Sequence, residues 1–210
     1  MSNIIDVADL DCIFLTYDEP KKEEFWAKIQ NMVPWATRVD GVKGSDAAHK
    51  AAATASKTEW FVLIDGDNLP DAAFFNLQLH IADEQKGSAF RWKARNEING
   101  LMYGNGGLKC WPKEFVLNMR THENADPKNA HAQVDFCWDM KYIQQNSCFS
   151  DVFNNHTAQQ AWRAGFREGV KMALDRGLRV TKDEFKILHW KNLQRLYVWL
   201  MVGADVENGL

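Results

Sequence analysis

Asp65 and Asp67, separated by one glycine and preceded by Trp60-Phe61-Val62-Leu63-Ile64, are the residues whose types and spacing best suit chemistry. Two carboxylates one residue apart offer hard oxygen ligands to Mg²⁺ or Mn²⁺, and Gly66 lets the backbone bend between them. Such an ion can neutralise a diphosphate. Asp, Gly and Asn are also the residues that turns favour, so the tripeptide alone leaves an ordinary post-strand turn open.

The elements around this pair must bring it to an edge. A short continuous apolar run reads as a buried parallel strand, and open α/β sheets bind ligands at the carboxyl ends of such strands. Asp11 to Thr16 is a second run of this kind, and it would deliver Tyr17 and Asp18 to the same edge. There an aromatic ring can stack on a base while a carboxylate accepts from its imide or from a ribose hydroxyl. A loop opening the helix near Pro20 accounts for both residues equally well. Lys22 to Met32 carries Phe25, Trp26 and Ile29 at helical spacing and ends before Pro34. A short strand over Ala36 to Val39 and a turn over Gly41 to Gly44 follow, then an alanine-rich helix to Ser56 capped by Ser45 or Asp46. Lys43 lies near that helix start as a candidate phosphate or uracil contact, although an exposed lysine explains it as well. His49 is not needed for packing among small residues, which points it toward the same site.

Past the aspartates the pattern predicts a short helix over Asp71 to His80. A half-exposed strand over Ser88 to Arg95 comes next, alternating apolar and basic residues. The stretch from Asn99 to Trp111 reads as a hairpin with its tip at Gly104 to Gly107. Asn99, Tyr103, Gly106, Gly107 and Lys109 would let a sugar or acceptor lie directly on the backbone. The spacing excludes a phosphate loop of the G-x-x-x-x-G-K-[ST] kind. A helix starts after Pro112, and residues 121–132 form a polar loop. Val134 to Met140 reads as helix-like and embeds Asp135 and Asp139 among apolar residues. Asp135 is the candidate general base for an acceptor hydroxyl, with Asp139 second; a helix cap or an arginine-paired surface acid is the alternative. His156 precedes a long helix over Ala158 to Leu174 and can complete a metal shell begun by the aspartates, unless it belongs only to a capping loop with Thr157 as cap.

At 210 residues with no repeat or linker, the chain (1–210) reads as one α/β domain with a helical C-terminal extension over about 158–203. The net charge of −3 excludes a generally basic protein, but its placement is uneven. Residues 1–85 sum to −8, whereas 86–113 and 160–199 each sum to +5. Such basic stretches suit an anionic acceptor, although solvated helix faces also explain them. The four cysteines lack C-x-x-C spacing and are expected as reduced thiols in a cytoplasmic protein. No run approaches the roughly 20 apolar residues of a membrane span. The end, Gly203 to Leu210, reads as a turn entering a further strand, so a C-terminal truncation or a naturally short relative is expected.

The order of these parts resembles a GT-A-fold glycosyltransferase of the family-2-like kind, with a mostly parallel, Rossmann-like central sheet flanked by helices. More closely it is similar to the small glycosyltransferases of tailed phages, which share the IDGDN, NGLMYGNGGLK and HTAQQAWRAGFRE patterns as they stand here. The likeness spans about Asp11 to Ala204. It implies a nucleotide-sugar donor, UDP-linked first of all, contacted by Tyr17, Asp18, Lys43, His49, Asp65 and Gly66. It also implies Mn²⁺ or Mg²⁺ on Asp65, Asp67 and His156. Relatives of this kind include enzymes that glycosylate hydroxymethylated pyrimidines such as 5-hydroxymethylcytosine in double-stranded phage DNA. An infected host's cytoplasm would then be the location. The chain departs from the pattern in lacking an E-D pair for the base. A glycan or protein acceptor, a phosphotransferase of the aspartyl-phosphate type, and a non-catalytic nucleic-acid or carbohydrate-binding module are the rival readings. The phosphotransferase fits poorly, because Asn68-Leu69-Pro70 follows the acidic pair where Thr or Val is usual.

Overall fold

The computed structural model describes residues 3–98, 100–126, 128, 136–172, 174–175 and 178–179, with side chains described as far as residue 166. In chain order the elements are β1 (Asn3–Asp6), β2 (Asp11–Thr16), α1 (Lys22–Met32), β3 (Thr37–Asp40), α2 (Ser45–Ala55), β4 (Trp60–Asp65) and β5 (Asn68–Pro70). Then follow β6 (Gln78–Ile81), β7 (Ala89–Asn96), β8 (Met102–Pro112), α3 (Lys113–Asn118), β9 (Tyr142–Val152), α4 (Ala158–Met172), β10 (Leu174–Asp175) and β11 (Leu178–Arg179).

Seven strands form one sheet in the order β3-β2-β4-β8-β7-β9-β5. The expected α/β architecture is present, and β2 pairs in parallel with both β3 and β4. Parallel pairing is confined to that side and to β7–β9, because β8 returns from a hairpin and lies antiparallel to both β4 and β7. The sheet is therefore mixed rather than mostly parallel.

Alternation along the strands builds two apolar layers. Cys12, Phe14, Val62, Ile64, Phe90, Leu108 and Cys110 pack with Phe25 and Ile29 of α1 and with Leu79 and Ile81 of β6. On the other face Ile13, Phe61, Leu63, Ala89 and Trp111 pack with Ala52 and Ala53 of α2 and Val116 of α3. Five consecutive positions of β4, Trp60 to Ile64, are buried, as a strand covered on both faces requires. Each such side chain contributes about 1.5–3 kcal/mol of burial, so a one-residue slip of β4 is heavily disfavoured and Asp65 is fixed as its last residue.

Several expectations are corrected. Asp71 to His80 is no helix: Asp71 accepts from the Ala73 amide (2.8 Å), a 3-10 turn covers Ala72–Asn76, and β6 then pairs with β1. Alternating burial of Leu79 and Ile81 makes the strand the better solution. β7 and β8 pair antiparallel down to Arg95↔Met102 with Gly100 at φ +73° between the strands, so the Gly104–Gly107 run lies within β8 rather than at a tip. Residues 136–140 form bends and turns rather than helix. Cys12, Cys110, Cys137 and Cys148 are all free thiols, as expected, and burial pushes the Cys12 and Cys110 thiols far up from their ordinary range. Among the described residues no helix is long and apolar enough to cross a membrane.

Candidate functional site

Asp65 ends β4 beside the carboxyl ends of β2 and β3, with Leu15 as its partner across the parallel pair. One oxygen, Oδ2, lies 3.4 Å from Lys109 Nζ, while Oδ1 is buried without a hydrogen-bond partner. A buried carboxylate oxygen left bare costs on the order of 1–3 kcal/mol, which makes it a place where a donor or a cation belongs.

Asp67 is held differently. Asn68 Nδ2 donates to its Oδ1 at 2.7 Å, and Ser150 Oγ donates to Asn68 Oδ1 at 3.3 Å. The backbone fixes it too, since Phe153 N–H donates to the Asp67 carbonyl at 2.8 Å. Asn68 is buried directly against Gly107, where an added Cβ would lie 1.9 Å from Asn68 Nδ2. Gly107 is thus a strand glycine required by close approach. The β7–β8 register jumps from Arg91↔Lys109 to Lys93↔Gly104, so Asn105 to Leu108 bulge out of the ladder, and Asn105 Oδ1 accepts from the Gly107 amide at 2.6 Å. The β4–β8 pairing runs to Ile64↔Leu108, which sets Gly107 beside Asp65. Gly106 lies 3.8 Å from Lys109 Nζ measured from an added Cβ.

Lys109 is only 6% exposed, and its ammonium sits over the rings of Trp111 (5.8 Å) and Phe136 (5.5 Å). His49, buried in the first turns of α2, lies with its ring 4.6 Å from Phe136. Its Nδ1 is 2.8 Å from the Ser45 carbonyl, which can only accept, so Nδ1 carries the proton and the buried, unpartnered Nε2 is a bare acceptor. Burial first, and the Lys109 charge second, push the His49 pKa down to about 4, against the opposing pull of Asp65.

That shift has a consequence for stability. A histidine whose folded pKa lies below its unfolded value binds fewer protons when folded, so stability is complete above pH 6.5 and falls as pH drops toward 4. The contribution is up to roughly 3 kcal/mol. Chemical denaturation of wild type between pH 7 and 4.5 is expected to show this slope, and His49→Gln is expected to flatten it. An unchanged slope in the variant would assign the effect elsewhere.

The remaining expected residues divide. Tyr17 and Asp18 stand exposed at the end of β2, Tyr17 at 47%. Gly66 is covered by Glu19, whose carboxyl carbon would lie 2.5 Å from an added Cβ and whose Oε2 accepts from the Tyr17 amide at 2.7 Å. Lys43 is exposed. Neither Ser45 nor Asp46 caps α2; Gly44 is the cap residue, and the Glu123 carboxylate takes the Ser45 and Asp46 amides at 2.9 and 2.6 Å. Tyr103 sits on β8 within reach of Asn105 (3.1 Å). Asp139 is exposed. Asn99 and Asp135 lie outside the described residues, as does most of the 160–199 basic stretch.

His156 is not assembled with the aspartates. Its ring stacks on Phe153 (5.4 Å) and meets Phe25 edge-on (6.0 Å), while its backbone amide donates to Gln160 Oε1 and Thr157 Oγ1 accepts from the Gln160 amide. Thr157 is thus the N-cap of α4, and the Gln160 side chain holds the amide one residue before it. No group of three His, Cys, Asp or Glu side chains that could hold an ion is gathered among the described residues. Asp65 and Asp67 nevertheless fit a hard divalent ion, because Asp65 Oδ1 is a buried carboxylate oxygen without a partner. Mg²⁺ sites commonly use one or two carboxylates and take their other ligands from water and substrate phosphates.

Sequence reasoning missed Glu19, Asn68 and Ser150. Asn68 was legible in part, as the residue after the acidic pair; Ser150 carries no local signal, since its place depends on how β9 pairs with β5.

No family model and no curated protein matches the chain. Among solved structures, a glycosyltransferase involved in the glycosylation of the major capsid of PBCV-1 matches 77% of this chain and 99% of its own, at 15% identity and a TM-score of 0.40. HddC from Yersinia pseudotuberculosis matches over 67% of this chain and 71% of its own, at 12% identity and a TM-score of 0.34.

Proposed function

We propose that the chain is a GT-A-type glycosyltransferase that moves a sugar from a nucleotide-sugar, UDP-linked first of all, to an acceptor hydroxyl. The observation that carries this reading is the bare, buried Oδ1 of Asp65 at the carboxyl end of the central parallel strand, with Asp67 turned by Asn68 two residues on. Asp65 and Asp67 would hold Mn²⁺ or Mg²⁺, which when bound stabilises negative charge on the departing nucleoside diphosphate. Tyr17 and Asp18, exposed at the end of β2, would take the base and ribose, and neutral His49 would offer an acceptor to a donor hydroxyl. Asp135 remains the candidate base. The acceptor proposed is a hydroxymethylated pyrimidine such as 5-hydroxymethylcytosine in double-stranded DNA, turned out of the duplex to reach the donor. It rests on the motif likeness and on the basic residues of 86–113.

The test is a mass measurement of hydroxymethylated and unmodified DNA after incubation with a panel of nucleotide-sugars and Mn²⁺. A hexose or pentose increment on the hydroxymethylated DNA alone is the expected result. Donor hydrolysis without DNA modification would move the acceptor to a glycan or protein, and no donor consumption with any nucleotide-sugar would end the transferase reading.

A further inference from the structure

Arg91 has no role in the site so far, yet its surroundings are unusual. Its guanidinium lies 5.1 Å over the Tyr142 ring, and its Nε is buried with no acceptor. Among the described residues no ion pair or side-chain hydrogen bond engages that guanidinium. A buried donor without a partner needs an explanation, and five N–H groups in a planar fork are a large donor capacity to leave unused.

Its neighbours give the explanation. Arg91 on β7 is the direct register partner of Lys109 on β8, so the two side chains rise from the same face of the sheet. The ring beneath Lys109, Trp111, touches the ring beneath Arg91, Tyr142, at 5.7 Å. Two cations thus stand side by side on an aromatic floor. Among the described residues Asp65 is the acid that reaches them, and it does so at Lys109, at 3.4 Å, longer than the 2.7–2.9 Å typical of a tight ammonium–carboxylate bond. By contrast Arg95, two positions along from Lys93 on the same strand, is engaged by Asp151 at 2.7 and 3.0 Å. Among the described residues the pair at Arg91 and Lys109 carries one positive charge more than its acid neutralises.

We propose that Arg91 and Lys109 form a phosphoryl-binding subsite beside Asp65, Arg91 presenting its fork to two phosphate oxygens and Lys109 its ammonium to a third. The subsite deepens the donor reading above and rests on it for the identity of the occupant, one phosphate of the nucleoside diphosphate. Its chemistry does not depend on a metal: side chains alone supply the positive charge. Arginine is suited to this because its planar fork matches phosphate oxygens two at a time.

The experiment titrates the full chain with inorganic pyrophosphate in EDTA-containing buffer, by calorimetry, and repeats it with UDP and with uridine. Wild type is expected to bind pyrophosphate without metal, with Arg91→Gln weaker by roughly tenfold or more, as loss of a charge-assisted contact implies. Arg91→Lys, which keeps the charge over Tyr142 and guards against a folding failure, is expected to lose less. Arg95→Gln, whose cation is already paired, is expected to bind like wild type, and uridine binding is expected to be indifferent to Arg91. Equal weakening by Arg95→Gln would show a diffuse field and overturn the subsite. So would wild-type binding that requires Mg²⁺ and survives Arg91→Gln, an outcome that leaves Asp65, Asp67 and the transferase reading standing. UDP affinity that depends on Asp67 and Mn²⁺ but not on Arg91 separates the two in the same way.

Discussion

Asp67→Asn is expected to lower Mn²⁺-stimulated turnover of a nucleotide-sugar by at least about 100-fold, the scale on which losing one preorganised charge-stabilising group acts. Mn²⁺ affinity, read from the electron paramagnetic resonance of the free ion, is expected to fall with it. The fold should be indifferent, because the substitution keeps the shape of the side chain, leaves an Oδ1 to accept from the Asn68 amide, and leaves the Phe153 amide bond to the Asp67 carbonyl intact. Asp65→Asn is the less clean experiment. It removes the acid beside the buried Lys109, and a cation left unpaired in such a place destabilises the fold in its own right. A loss of turnover in Asp65→Asn is therefore read together with the thermal midpoint, whereas Asp67→Asn separates chemistry from folding. Wild-type Mn²⁺ affinity and turnover in Asp67→Asn would remove the acidic pair from the mechanism.

How far the sequence reveals such a site depends on whether the signal is local. The run from Trp60 to Ile64 is buried on both faces and could be recognised from its composition, and with it the position of Asp65; α1 follows from apolar spacing and α2 from its alanine content. The glycines of β8 mislead for a physical reason. Glycine serves tight turns through positive φ and serves strands through close approach, and the letters are the same. Here Gly100 takes the turn at φ +73°, while Gly104 and Gly107 make room for Gln144 and Asn68 arriving from β9 and β5. Nothing near residue 104 announces Gln144. His156 misleads similarly, since a histidine before a helix can pack its ring as readily as bind a metal: here the ring lies against Phe153 and Phe25, and Thr157 takes the capping role. Arg91 and Lys109 become neighbours only through the β7–β8 register, and a bulge sets that register.

Gly107→Ala puts the close approach to a test in which the sign decides. The backbone at Gly107 is not in the left-handed region, where only Gly41, Gly44 and Gly100 fall among the described residues. On backbone grounds alone, alanine there should stabilise by about 0.5–1 kcal/mol. Packing predicts the reverse. The new Cβ would lie 1.9 to 2.4 Å from the Asn68 amide, and that side chain is 1% exposed and held between Asp67 and Ser150, so it cannot swing into water. Overpacking of this kind costs typically 1–3 kcal/mol, and chemical denaturation is expected to show that loss. Mn²⁺ affinity is expected to fall as well, because the Asn68 amide can no longer hold Asp67 Oδ1. Gly106→Ala, whose Cβ would meet only Lys109 Nζ at 3.8 Å, is the matched control and should change neither quantity. Adding Asn68→Ala to Gly107→Ala is expected to recover part of the stability by removing the clash, yet not the metal affinity. This non-additive outcome marks the two residues as one contact. A Gly107→Ala variant at least as stable as wild type would show that β8 shifts freely at this point, and the orientation of Asp67 by Asn68 would lose its support.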